Sequence, residues 1–237
     1  MKALILNSGM GKRMGKLTST LPKCMVELIG EETILSRQLK LLKKAGINEI
    51  VMTTGSYHLL QQEYITQMGL DMKVMLVNNE KYAETNYIYS IFLARDYLDD
   101  DILLLHGDLV FEEKALEKLL QSPASSMAVS FSIPLPQKDF KAVIKEKKII
   151  AVGIEFFESA VAAQPMYRLK KEDWRIWLDR INMFCESGQT QCYAENALNE
   201  IADMIGLYPI DMANMLCQEV DKEEDLLEVQ NRLKELQ

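Results

Sequence analysis

What this sequence lacks narrows it first. Its four cysteines, Cys24, Cys185, Cys192 and Cys217, show no Cys-x-x-Cys spacing and sit among apolar neighbours. That argues against a disulfide framework or a cysteine zinc site and predicts reduced, mostly buried thiols. Only two histidines, His58 and His106, are present to extend a ligand set. An excess of basic charge is also missing: the net charge of -8 speaks against general binding to nucleic acid or to an anionic membrane. No apolar run approaches the roughly 20 residues that cross a bilayer. The four apolar residues between Lys2 and Asn7 are too few for a signal peptide. A cytoplasmic protein is therefore expected. Glycine (11) and proline (6) are sparse, and no repeat, linker or low-complexity segment is visible.

What is present is a chain of 237 residues, 48% of them hydrophobic, which is long enough for a full core. Strand and helix patterns alternate through its first half. Apolar runs at 3–6, 49–54, 72–77 and 101–106 read as strands, and periodic segments at 34–45, 59–68 and 86–98 read as helices. Such alternation implies a parallel sheet covered on both faces, with ligands bound beyond the carboxyl ends of its strands. After Asp108 the pattern changes. A strand is expected over 126–134, a hairpin over 142–153 with the charged tip Lys145–Lys148, and helices over 171–187 and 194–205. Short apolar segments near 207–210 and 215–220 precede a closing helix at 222–236.

The stretch Asn7-Ser-Gly-Met-Gly-Lys-Arg-Met-Gly15 follows the first strand and leads to Leu21-Pro-Lys23. A glycine-rich turn off a strand end brings backbone N–H groups close to a phosphate, and Lys12, Arg13, Lys16 and Lys23 add local positive charge to an acidic chain. Two familiar fingerprints are excluded. A dinucleotide turn needs glycine or alanine where Met14 stands, and a P-loop needs Ser or Thr where Leu17 follows Lys16. The glycines alone fit a structural turn as well as a phosphate loop. Gly55 and Asp108 also lie just past strand ends, so all three segments are expected to converge on one rim of the sheet. Gly107-Asp108 can present a carboxylate to a divalent cation, though Gly-Asp after a strand is also an ordinary turn. Asp221 precedes the closing helix, where a role as helix N-cap accounts for it adequately alone.

The whole string of glycines, Lys12-Arg13, Pro22-Lys23 and Val26-Glu-Leu-Ile-Gly30 resembles the signature of nucleotidyltransferases that join an NTP to a phosphorylated small molecule. The Asn78–Ala94 segment looks like the CTP:phosphocholine cytidylyltransferases of the bacterial type and their close relatives. The resemblance implies a three-layer α/β/α Rossmann-like (GT-A-like) mixed sheet with a small α+β acceptor-binding region. It implies one domain over 1–237, with a nucleotide-binding half at 1–111, an acceptor-binding half at 112–219 and a closing helix at 220–237. Asn7, Ser8, Gly9, Met10, Gly11, Lys12, Arg13 and Lys23 would wrap and neutralise the triphosphate, with Gly55, Asn86, Ser90 and Gly107 also at the nucleotide. Asp108 and Asp221 would hold Mg²⁺, and Lys23, Arg13, Asp108 and Asp221 would carry the catalysis.

For the acceptor, Tyr193 and Glu195 correspond to an aromatic–acidic segment of the choline enzymes, and a quaternary ammonium is held by aromatic faces plus a carboxylate. Trp174 is a further acceptor candidate, with core packing the competing reading for it and for Trp177. The expected partners are CTP or another NTP and a small phosphorylated acceptor, first phosphocholine, then an aminoethylphosphonate or a sugar 1-phosphate. No nucleic acid or membrane partner is expected, and neither the nucleobase nor the oligomeric state is legible. The chain ends directly after its last helix, so no added acyltransferase or β-helix domain is expected. A glycosyltransferase would place a second carboxylate in Asp108-Leu-Val110, where there is none. A non-catalytic nucleotide-binding regulator is the remaining alternative.

Overall fold

A computed structural model describes residues Met1–Leu236, the side chains of Lys12 and Lys16 excepted. The chain opens with β1 (Lys2–Asn7), passes through 3-10 turns at Lys12–Thr18 and Lys23–Met25, and forms the short β2 (Glu27–Ile29) and β3 (Glu32–Thr33). Next come α1 (Ile34–Lys44), β4 (Glu49–Thr54), α2 (His58–Met68), β5 (Lys73–Asn78), α3 (Tyr87–Ala94), β6 (Ile102–His106) and β7 (Leu109–Phe111). The second half holds α4 (Glu113–Leu120), β8 (Ser126–Ser130), β9 (Lys141–Lys145), β10 (Lys148–Gly153), β11 (Ala160–Leu169) and α5 (Lys171–Glu186). It closes with α6 (Ala194–Asn199), β12 (Tyr208–Asp211), β13 (Cys217–Glu219) and α7 (Glu223–Glu235).

Among the described residues nine strands form one mixed sheet, with the path β10-β9-β11-β6-β1-β4-β5 and β8 pairing both β11 and β12. The β6, β1, β4 and β5 strands are parallel. The β11 strand runs antiparallel to β6, β8 and β9, so the sheet is not parallel throughout. Alternate residues of a strand face opposite sides. Leu4 and Leu6 of β1 accordingly pack with α3, α5 and α6, while Ala3 and Ile5 pack with α1 and α4 on the other face. These are the three layers that the resemblance implied. A smaller cluster joins Met14, Val26 and Ile34 to Val220, Val229 and Leu233, and so fastens α7 beneath the glycine loop.

Several boundaries differ from the sequence reading. Asn86 stands outside the helix expected to start there. Its backbone is extended, and its Oδ1 accepts the Tyr87 N–H at 2.7 Å, which makes it the cap of α3. The strand expected to reach Pro134 stops at Ser130, because the Phe131 N–H turns to the Asp211 carboxylate at 3.3 Å. The helix expected to reach Ile205 stops at Asn199, whose side chain bonds both the N–H and the C=O of Val152 in β10 at 2.8 and 2.9 Å. Besides short strands such as β3 and β7, two longer elements went unread, α4 and β11. In β11, Pro165 offers no N–H, and the pairing with β8 shifts register between Ala163 and Tyr167.

Candidate active site

Three backbone segments nest at the carboxyl ends of β1, β4 and β6. A Cβ on Gly55 would stand 2.6 Å from the Ser8 carbonyl oxygen. One on Gly107 would stand 2.9 Å from the Leu6 carbonyl and overlap the Asn7 side chain. Both positions therefore require glycine for close approach rather than for unusual dihedrals. The nested segments floor a cleft of about 330 Å³, lined by Gly9, Met10, Gly11, Arg13, Lys23 and Asp108 among others. Asn7 lines it too, but its amide reaches inward to the Met52 sulfur at 3.2 Å.

Ser8 and Ser90 bond each other at 2.8 Å, and Asn79 donates to Ser90 at 3.0 Å. All three side chains are buried, so Ser90 braces the loop from below instead of facing the cleft, because its hydroxyl is spent on Ser8 and Asn79. The Lys12 side chain lies outside the described residues.

At the mouth of the cleft two carboxylates from distant parts of the chain meet one ammonium. Lys23 Nζ donates to Asp108 Oδ2 at 2.7 Å and to Asp221 Oδ1 at 2.5 Å, and Arg13 Nη1 sits 2.7 Å from Asp221 Oδ2. The N-cap role open to Asp221 falls to others. Lys222 is the cap residue, and the Asp225 carboxylate takes the N–H groups of Asp221 and Lys222 at 2.9 and 3.0 Å. The Asp221 carboxylate is thus left free to face the cleft. Burial disfavours charge on Lys23, but Asp108 and Asp221 outweigh it and hold the ammonium above its ordinary value. Burial likewise pushes the Asp108 carboxyl up, and the Lys23 and His106 charges outweigh it, so Asp108 stays below its usual range. Both carboxylates grip one cation, the Lys23 ammonium. That donor set, hard oxygens at a cleft mouth, suits a divalent cation that also takes phosphate oxygens and water.

Next to this centre lies a group that sequence reasoning did not assemble. His106 Nδ1 and Glu219 Oε1 are 3.2 Å apart, and ligand atoms of His106, Asp108 and Glu219 fall within 4.8 Å of one another, a set able to hold a metal ion. Burial, then the Asp108 charge, push the Glu219 carboxyl up to about 7. The signal was available in the spacing. His106 and Asp108 flank Gly107 as Glu219 and Asp221 flank Val220, two residues apart at strand ends and so on one side. Asp139 was also missed; burial and then the Asp221 charge hold its carboxyl above the usual range, which places it within electrostatic reach of this centre.

Deeper in, Tyr87, Tyr193, Phe140 and His106 form a ring cluster with centroids 4.9 to 6.1 Å apart. Glu195 is buried under it, where its carboxylate accepts from the Tyr87 hydroxyl and, at 2.8 Å, from the Tyr167 hydroxyl. Burial, followed by the Glu195 charge, pushes both phenols well up. Trp174 does not belong to this group. Its ring is buried against Trp177 and its Nε1–H donates to the Leu98 carbonyl at 3.0 Å, so it is core and not acceptor contact. Among the described residues no helix is long and apolar enough to cross a membrane.

Comparison with known proteins fits this geometry. Residues 2–142 match the family described as nucleotidyl transferase. A CMP-5'-(3-aminopropyl)phosphonate synthase of Streptomyces rubellomurinus is 37% identical over 134 residues, 56% of this chain and 21% of that protein. A choline-phosphate cytidylyltransferase of Streptococcus pneumoniae is 31% identical over 122 residues, 52% of this chain and 51% of that protein. The chain thus spans about half or less of these first relatives' length. A 2-aminoethylphosphonate cytidylyltransferase of Lancefieldella rimae is 31% identical over 212 residues, 88% of this chain and 84% of that protein. Among solved structures, an inositol-1-phosphate CTP transferase from T. maritima shares the fold with a TM-score of 0.80 at 22% identity, covering 99% of this chain and 96% of that one. With its fold, its family model and a relative matched along nearly its whole length in agreement, the chain belongs to the nucleotidyl transferase family.

Proposed function

We propose that the protein transfers CMP from CTP to a small phosphate or phosphonate that carries an amine, releasing pyrophosphate. The observation that carries this reading is the convergence of Asp108 and Asp221 on the Lys23 ammonium at the mouth of the glycine-loop cleft. An oxygen of the acceptor attacks the α-phosphorus of CTP and forms the new P–O bond. The bond from that phosphorus to the oxygen bridging toward the β-phosphorus breaks, and pyrophosphate leaves with the electron pair. The attacking oxygen is already ionised at neutral pH, so the site has to position and neutralise rather than remove a proton. Loop N–H groups and Arg13 take the leaving phosphates, and Lys23 exchanges its carboxylates for the charge that develops at the reacting phosphorus. Mg²⁺ held by Asp108 and Asp221 would neutralise the same phosphates.

The acceptor's amine is assigned to the cluster of Tyr87, Phe140 and Tyr193, with Glu195 supplying negative charge behind the tyrosine hydroxyls. Aromatic walls suit a methylated ammonium, so phosphocholine comes first. The Lancefieldella relative, matched over 88% of this chain, favours 2-aminoethylphosphonate as the second reading. Pyrophosphate release measured with Mg²⁺ and each NTP against phosphocholine, 2-aminoethylphosphonate and glucose 1-phosphate tests both. Turnover only with CTP and an amine acceptor, lost in Asp108→Asn, is expected. Turnover with glucose 1-phosphate alone would discard the amine site, and nucleotide binding without any turnover would favour the regulator.

A further inference from the structure

Lys141, the first residue of β9, is 0% exposed. Among the described residues no carboxylate oxygen lies within salt-bridge distance of its ammonium. The Nζ group donates instead to the backbone carbonyls of Pro136 at 2.7 Å and Asp139 at 3.1 Å, and lies 4.2 Å from the centre of the Phe157 ring. A buried ammonium is unfavourable unless its donors are satisfied, and here two carbonyls and an aromatic face take them. The result is a clamp in which a lysine ties down the chain two and five residues before it.

The clamped segment is the irregular stretch between β8 and β9. Its outer part is open to solvent: Phe131 and Ile133 are 58% and 46% exposed. Its inner end carries two residues of the site. Phe140 is buried, with its ring 5.2 Å from Tyr193 and 6.1 Å from His106, and so forms one wall of the aromatic cluster. Asp139 brings a carboxylate into the field of Asp221 and Arg13. Lys141 reaches neither the cleft nor the cluster, yet it fixes the backbone from which both side chains project.

We infer that Lys141 is a positioning residue for the acceptor, acting through Phe140 to set which amine the aromatic cluster accepts. The inference rests on the assignment of that cluster to the acceptor. An error of about 1 Å in such a wall is enough to change rates by up to about a hundredfold, and the wall adjoins the amine rather than the triphosphate.

Lys141→Met keeps the length of the side chain and removes its donors; Lys141→Arg keeps charge and donors. Steady-state kinetics should show Lys141→Met raising the acceptor KM about tenfold while the CTP KM stays within about twofold. The preference between phosphocholine and 2-aminoethylphosphonate should change, and Lys141→Arg should recover part of the loss. A role in stability alone would lower the melting temperature without separating the two KM values, and equal changes in both would overturn the inference. Hydrogen exchange read by mass spectrometry tests the clamp without turnover: faster exchange confined to residues 131–140 is expected in Lys141→Met. Unchanged exchange there refutes the clamp, whereas wild-type protein that turns over no amine acceptor refutes the functional reading instead. Should Lys141→Met fail to fold, Phe157→Leu removes only the ring over the ammonium and must shift the acceptor KM in the same direction.

Discussion

Replacing Lys23 by methionine removes the cation that Asp108 and Asp221 share and leaves the two carboxylates facing each other. The Lys23 side chain is only 12% exposed, so solvent screens little of this. Breaking a buried pair by deleting one partner costs roughly 3–5 kcal/mol. Here the lower end applies, about 3 kcal/mol, because Arg13 still holds Asp221 at 2.7 Å and both carboxylates reach the cleft mouth. For a chain of this size that corresponds to a fall in Tm of roughly 6–12 °C.

The same substitution frees the carboxylates for a divalent cation. Mg²⁺ without nucleotide should therefore raise the Tm of Lys23→Met more than that of the wild type, where the ion must displace the lysine. At about a hundred times its Kd, a ligand adds about 2.7 kcal/mol, enough to return most of the lost stability. Turnover should still fall about 10²–10³-fold, since the charge meant for the transition state is gone. Thermal melts with and without Mg²⁺, beside pyrophosphate release, read all three quantities. Equal melting temperatures together with equal responses to Mg²⁺ would refute the idea that Lys23 holds a cation's place.

Further predictions concern the nest, the core and the tyrosines. Gly55→Ala places a Cβ 2.6 Å from the Ser8 carbonyl, which displaces the loop and should raise the CTP KM about tenfold; an unchanged KM counts against the nested rim. Trp174→Phe loses the hydrogen bond to Leu98 and some volume, and should lower stability by about 1–3 kcal/mol without altering the acceptor KM, which kinetics beside a urea melt will show. Tyr87 and Tyr167 have phenols raised well above the ordinary value, by burial and then by Glu195. Above about pH 10 the unfolded chain therefore holds fewer protons than the folded one, and stability falls with rising pH. Ultraviolet titration should show these two of the nine tyrosines ionising only as the fold is lost, and early ionisation of all nine would refute their burial against Glu195.

The legible part of the site is the part written locally. The glycine loop, Gly55 and Gly107-Asp108 each follow an apolar run directly, so strand ends and their occupants could be placed from spacing alone. The reading of Asp221 was split between cap and ligand, and only the tertiary structure removes the first, by making Lys222 the cap residue with Asp225 accepting its N–H. The partnership of Glu195 with Tyr87 and Tyr167 joins three elements, and no single-segment pattern contains it. Trp174 reads on a helix as core before ligand, and the choice is closed only by its ring direction, which depends on how α5 packs. The α4 segment carried an amphipathic pattern that was not read. The β11 strand hid for a physical reason: Ala160-Val-Ala-Ala-Gln-Pro165 has small side chains and a proline, little of the branched apolar surface that marks a central strand.

That strand also bears on how the chain is made. Residues 160–169 lie between β6 and β9, so the edge of β6 not taken by β1 is covered by a segment that leaves the ribosome long after β6 itself. Until then β6 presents a row of unpaired N–H and C=O groups and a sequence apolar except for His106, the combination that recruits a foreign strand. Nascent chains halted before residue 160 are accordingly the species most exposed to misassembly, and full-length synthesis is what ends that exposure.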